Sequence, residues 1–342
     1  MDLERRSIRI GLAVIAGAVI LRLLGSIWGP VSSFFADPEV ASFLIYLETG
    51  RVVKLANTET EPEETLPTVP KPTQAEQPTE PPVVQPAFSP EDSTLIDVSN
   101  LCGYKPDLEA LLLSPLDWDL TQDGPAVLIL HTHATESYTQ TEQESYVESS
   151  LYRTLDQQHN MLRVGDAVAQ VLGEYGIEAV HDRLLHDHPN YTGSYNNARR
   201  SIEEYLEEYP SIRVVLDIHR DALDLESAQQ LRTQATVAGE TSAQIMMVVG
   251  TDAGGLYHPK WQENMAFAVK LHAQLEKQWP GICRPISFRT ERFNQDLSPG
   301  ALIIEVGATG NTLEEALTAA KALAEGIAAL AAGTATAGST NS

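Results

Sequence analysis

The stretch AVLILHTHATESY, residues 126–138, decides the fold. Ala126 to Leu130 are apolar without interruption, the pattern of a strand buried on both faces, which a parallel sheet covered by helices produces. That strand runs directly into His131, Thr132, His133, Ala134, Thr135 and Glu136. A core strand that ends in two imidazoles and a carboxylate has chemistry at its carboxyl end.

Working outward, strand-like runs alternate with helical periodicity. IEAVHD (177–182), RVVLDIH (213–219), QIMMVVG (244–250) and ALIIEVG (301–307) read as further strands. Between and after them, residues 161–176, 196–210, 264–281 and 312–333 read as helices. In the first of these Leu162, Val168, Val171 and Leu172 recur at helical spacing, and the second stops at Pro210. The alternation predicts an α/β domain over residues 95–333, a mostly parallel sheet with helices on both faces.

Three of the strands end in polar clusters. The first carries His133 and Glu136, the third Asp217, His219, Arg220 and Asp221, and the last Glu305. Ligand sites of α/β sheets lie beyond the carboxyl ends of the strands, so the three can converge. Two imidazoles and one carboxylate make a catalytic zinc site with an open fourth position. His133, Glu136 and His219 are the expected ligands, and Glu305 the general base. A carboxylate directly after Leu-Ile-Ile in a buried strand is costly unless it is paired or near a metal, which makes Glu305 the strongest single signal. His131 is an alternative first ligand, because on an extended segment it would share the face of His133. Asp156 and His159, just before the first long helix, stand as alternatives to Glu136. The segment 181–198, with His181, His186 and His188, reads as a loop lining the cleft rather than a second metal site. It offers Tyr191 and Tyr195 to a polar substrate. Arg220, beside His219, is a further candidate substrate contact.

The rest of the chain supplies context. Arg5, Arg6 and Arg9 precede an apolar run over residues 10–29, about the length that crosses a bilayer core. Arg22 lies within it, and no small-x-small cleavage site follows. Residues 1–9 are expected in the cytoplasm, 10–29 as an uncleaved signal anchor, and everything later outside the membrane. Within the linker, 30–94, residues 57–94 are rich in Pro, Glu and Thr, the composition of a tether, and residues 334–342 read as a disordered tail. The formal charge of −24 argues against nucleic acid as partner. Cys102 and Cys283 form no Cys-x-x-Cys pair and are at least as consistent with free thiols as with one disulfide. No phosphate-cradling loop and no G-x-S-x-G elbow is present.

The blocks VLILHTHATESY, HDHPNYTGSYNNAR, VVLDIHRDA and FNQDLSPGALIIEVGATGNTLEEA resemble the stage II sporulation protein P family of endospore-forming Firmicutes. The resemblance covers roughly residues 96–330, and the anchor and tether fit it. That family is similar to zinc-dependent N-acetylmuramoyl-L-alanine amidases, which implies a zinc-amidase or zinc-exopeptidase-like fold with Zn2+ as cofactor. By position it implies His133 (or His131) and His219 as ligands, Glu305 as the catalytic carboxylate, and Asp156 in the place of the carboxylate ligand. It further implies peptidoglycan as substrate during engulfment, in the space between two membranes. Cleavage would fall at the amide joining N-acetylmuramic acid to the stem peptide, with cross-link endopeptidase activity also attributed to the family. Stage II sporulation proteins D and M are the implied partners. Two other readings stay open on residues alone. One is a wall-binding module without catalysis; the other is a zinc carboxypeptidase using Arg220 for a terminal carboxylate.

Overall fold

The computed structural model describes residues 88–116, 118–222 and 230–335. The expected anchor at 10–29, the linker as far as residue 87 and residues 336–342 of the tail lie outside the described residues. Among the described residues no helix is long and apolar enough to cross a membrane.

Among the described residues, nine strands and five helices follow one another, with two short 3-10 turns. The strands are β1 (Val98–Asn100), β2 (Val127–Leu130), β3 (Ala179–His181), β4 (Val214–Asp221), β5 (Ala235–Val237), β6 (Glu240–Ser242), β7 (Ile245–Val249), β8 (Ile286–Phe288) and β9 (Gly300–Ala308). The helices are α1 (Leu108–Leu113), α2 (Met161–Glu174), α3 (Ser194–Glu208), α4 (Trp261–Gln278) and α5 (Leu313–Ala335). Seven strands form one sheet in the order β1-β8-β7-β9-β4-β2-β3. Every neighbouring pair is parallel except β7 with β9, so β9, β4, β2 and β3 run one way and β7, β8 and β1 the other. β5 and β6 make a separate hairpin, closed by Ala238 and Gly239, both at positive φ as a tight two-residue turn requires.

The two-residue period of the strands divides the core. Val127 and Ile129 of β2, Leu216 and Ile218 of β4, and Leu302 and Ile304 of β9 face the larger cluster, which α2, α4 and α5 cover. Leu128, Leu130, Val215 and Ala301 face the smaller one, which α3 closes with Ala198 and Ile202. Helices therefore lie on both faces, unequally. Asn160 caps α2 by accepting from Leu162 N, and Gly176, at φ +74°, turns the chain out of α2 toward β3.

Two boundaries differ from expectation. Residues 88–94, read as the end of the linker, pack onto the domain: Phe88 lies against the main core, and Asp92 accepts from Lys277 Nζ at 2.9 Å. The last helix continues past Gly333 to Ala335. Cys102 and Cys283 are free thiols.

Candidate functional site

β2, β4 and β9 are adjacent and parallel, so their carboxyl ends share one edge of the sheet. His219 and Glu305 stand in register across β4 and β9. By the alternation of each strand, Asp217, His219 and Glu305 belong to the face that α3 covers. β2 ends at Leu130, and a turn through residues 132–135 carries the chain across the edge. Glu136 N donates to His133 O at 3.1 Å, the tight turn that H-x-x-E spacing implies. His133 and His219 meet edge to face with ring centroids 5.2 Å apart, and Glu136 Oε2 lies 3.7 Å from His219 Nδ1.

The local electrostatics call for a positive charge. Burial alone would lower the pKa of His219, but Asp217, Glu136 and Glu305 outweigh it and push it up to about 10. His133 goes the other way: burial pulls it down to about 4, leaving a neutral imidazole with a lone pair to give. Burial, with the carboxylates of Glu136 and Asp221, pushes Glu305 up to about 8, against the pull of His219 and Arg220. Burial works against the charge on Glu136 as well, but Arg220, His219, His133 and Arg153 together keep it below the usual range.

Three buried polar atoms in this region have no hydrogen-bond partner: His133 Nδ1, His219 Nε2 and Glu305 Oε2. His219 Nε2 lies 2.9 Å from Asp217 Oδ1, but off the line of a hydrogen bond. Two imidazoles with unused nitrogens beside carboxylates are a donor set whose chemistry suits a divalent ion such as zinc. Their spacing is looser. Among the described residues no three His, Cys, Asp or Glu side chains are gathered closely enough to hold a metal ion. A tetrahedral zinc at ~2.0–2.1 Å from each ligand sets ligand atoms roughly 3.3 Å apart, so an ion would have to draw these side chains inward.

Two tyrosines stand against His133. Tyr191 stacks on His133, with centroids 4.5 Å apart and planes 11° apart, and its Oη lies 3.2 Å from His133 Nε2. Tyr195 meets His133 edge-on at 5.7 Å. Arg220 differs from expectation. It is 3 % exposed and turned inward, donating to the carbonyls of Ser137 and Tyr152 at 3.0 Å each, so it braces the loop after Glu136 instead of facing a substrate. A carboxypeptidase would need that charge in the cleft.

The three alternative ligands are not brought to the cluster. His131 does not share the face of His133, because the turn at 132–135 breaks the alternation. It points to the α2 side, with Nδ1 2.8 Å from Ile218 O and Nε2 2.9 Å from His181 Nε2. Asp156 is half-exposed and engaged with His159 and Gln158 N. His159 in turn reaches Glu144 at 3.1 Å.

Sequence reasoning named Asp217 only as part of a polar cluster, without its supporting role, and did not single out Arg153. Asp217 accepts from Thr132 N at 2.7 Å and Thr132 Oγ1 at 2.6 Å, locking the start of the His133 turn to β4. The argument applied to Glu305, a carboxylate within an apolar strand, would have found it. Arg153 binds Glu136 Oε1 at 3.2 Å and Asp187 Oδ2 at 2.6 Å, and lies 4.9 Å over the Tyr191 ring. Nothing near Arg153 in the sequence signals this role.

Comparison with known proteins places the chain. Over 216 residues it is 31 % identical to stage II sporulation protein P of Bacillus subtilis, covering 60 % of this chain and 51 % of that one. This chain thus spans about half the length of that relative. Among solved structures, an N-acetylmuramoyl-L-alanine amidase of Clostridium difficile 630 is 17 % identical over 65 % of this chain and 100 % of its own, with a TM-score of 0.36. An N-acetylmuramyl-L-alanine amidase of Mycobacterium smegmatis is 13 % identical over 60 % and 97 %, with a TM-score of 0.37. The sequence profile of stage II sporulation protein P matches residues 47–328, most of the chain and all of the strands that build the site, and the protein belongs to that family.

Proposed function

We propose that this protein is a membrane-anchored, zinc-dependent peptidoglycan hydrolase of sporulation, cutting the amide between N-acetylmuramic acid and the stem peptide. The observation that carries the reading is the meeting of His133, Glu136 and His219 with the unpartnered Oε2 of Glu305 at one sheet edge. Family membership supports the sporulation context and, with it, the wall as substrate. The basic N-terminus and the apolar run 10–29 support an anchor with the hydrolase outside the cytoplasm, between the two membranes of the engulfing cell. Stage II sporulation proteins D and M are the partners this context suggests, and cross-link endopeptidase activity belongs to the same proposal.

His133, Glu136 and His219 would hold the zinc, which when bound polarises a carbonyl and acidifies water. Glu305 accepts the proton of the attacking water and returns it to the leaving nitrogen. Burial pushes its pKa up to about 8, and a cation beside it would lower that toward 7, the range in which one group can take and return a proton at pH 7. Arg153 and Arg220 hold Glu136 ionised and fixed. Tyr191 and Tyr195 wall the approach to His133 and offer ring faces and hydroxyls to a polar substrate.

The test is mass spectrometry of fragments released from purified peptidoglycan by the full chain, beside zinc analysis of wild type and His219→Ala. Free stem peptides with intact glycan and one zinc per wild-type chain, lost in the variant, are expected. Equal zinc in both proteins would remove the ligand assignment. Release of single terminal residues would turn the reading to a carboxypeptidase.

A further inference from the structure

His131 stands outside the cluster, and the contacts that hold it there give it a task. It is fully buried on the α2 side of the sheet, at the point where β2 ends. Its Nδ1 lies 2.8 Å from the carbonyl of Ile218, the peptide that leads into His219. Its Nε2 lies 2.9 Å from Nε2 of His181 at the end of β3, and His181 Nδ1 lies 3.0 Å from Asp166 Oδ1 on α2. Both ends of this chain can only accept. The carbonyl therefore takes a proton from Nδ1 of His131, one proton lies between the two Nε2 atoms, and Asp166 anchors the far side of His181 to α2. Arg183 binds the same carboxylate.

Gly165 is an independent observation. A Cβ at this position would stand 2.6 Å from Nε2 of His131 and 2.6 Å from Nε2 of His181. A glycine inside a helix costs roughly 1 kcal/mol relative to alanine. At this turn of α2 it makes the room that the imidazole pair occupies.

We propose that His131, His181 and Asp166 are positioning residues, a hydrogen-bonded brace that ties the carboxyl ends of β2, β3 and β4 to α2 and sets the spacing of His133 and His219. The functional consequence rests on the reading of those two histidines as zinc ligands. Residue 131 is two positions from one of them, and the Ile218 carbonyl adjoins the other. A lost brace lets the two strand ends move independently at the edge where the site is built.

The test uses the full chain labelled with 15N, as wild type, Gly165→Ala, His181→Leu and His181→Gln. In wild type, a ring N–H proton coupled to both Nε2 nitrogens is expected, and its absence overturns the brace. Gly165→Ala should abolish that signal and shift the ring resonances of His133 and His219. It should also weaken affinity for zinc ion, read by chelator competition, about 10–100-fold, the usual loss when an outer partner is removed. His181→Gln keeps an amide that can donate to His131 Nε2 and should recover part of what His181→Leu loses. Unmoved His133 and His219 resonances in Gly165→Ala overturn the positioning role, as does an unchanged zinc affinity. If Gly165→Ala does not fold, identical His133 and His219 resonances in the leucine and glutamine variants overturn it instead. A wild type that takes up no zinc sinks the proposed function, while the brace is still decided by the ring resonances.

Discussion

Replacing Glu305 with glutamine exchanges one oxygen for an NH2 at nearly constant shape, so it separates three roles that this carboxylate could fill. Burial holds its carboxyl at about 8 in the metal-free protein, against an ordinary value of 4.5. Between those two pH values the folded chain keeps a proton that the unfolded chain has released, so stability falls as pH rises through the window. At about 1.4 kcal/mol per pKa unit, the penalty is absent below pH 4.5 and reaches on the order of 5 kcal/mol by pH 8. Glutamine has no such titration. Metal-free Glu305→Gln should therefore match wild type in melting at acid pH and pull ahead of it as pH rises toward 8. Zinc content should stay at the wild-type level, because Glu305 is not among the expected ligands. Release of stem peptides from purified peptidoglycan should drop about 10²–10⁴-fold, since an amide cannot accept the proton from water. Full activity in this variant refutes the general-base role. Loss of zinc would make Glu305 a ligand, and lowered melting with intact activity per folded molecule would make it a structural partner.

Two further outcomes test the surroundings of the site. Arg153→Ala leaves Asp187, 6 % exposed, without its 2.6 Å partner and frees Glu136 Oε1. We expect a loss of about 3–5 kcal/mol in denaturant titration, and a change below 1 kcal/mol would show that the pair is not buried as described. Lys270 is 5 % exposed, and burial pulls its pKa from 10.5 down to about 8. The unfolded chain then binds the extra proton between pH 8 and 10.5, so wild-type stability should rise across that window relative to Lys270→Met, by up to about 1.4 kcal/mol per pH unit. Parallel stability curves for the two proteins would exclude this.

The strands that build the site were legible because each is long and apolar enough to stand out. VLIL, VVLDIH and ALIIEVG carry their polar residues at the carboxyl end, and the topology rule then brings them together. β1 and β8 were missed, since three residues such as VSN or ISF hold too little periodicity to read. The reversal of β7 against β9 left no mark in the sequence, because a strand buried on both faces looks the same in either direction. His131 was misplaced for a local reason. Alternation holds only while the backbone is extended, and the turn at Thr132 ends it. Arg153 could not be found, because its partners Glu136 and Asp187 meet it only after the loop from Thr139 to His159 has folded back over the edge.

The place of β9 in the sheet has a consequence for how the chain reaches this structure. Among the described residues it is the last strand in sequence, and it sits between β4 and β7, near the middle of the sheet. Until residues 300–308 have been synthesised and inserted, β4 and β7 each present an unpaired apolar edge, the kind of surface that invites pairing with other chains. Closing the sheet also requires β1 to find β8, almost 190 residues later in the chain, so the rate-limiting contacts are long-range. A chain cut short before Gly300 would thus lose Glu305 and, with it, the strand that joins the two halves of the sheet. Such a fragment should accumulate as aggregate rather than as an inactive but soluble domain, and a nascent chain stays exposed to that fate until its final strand emerges.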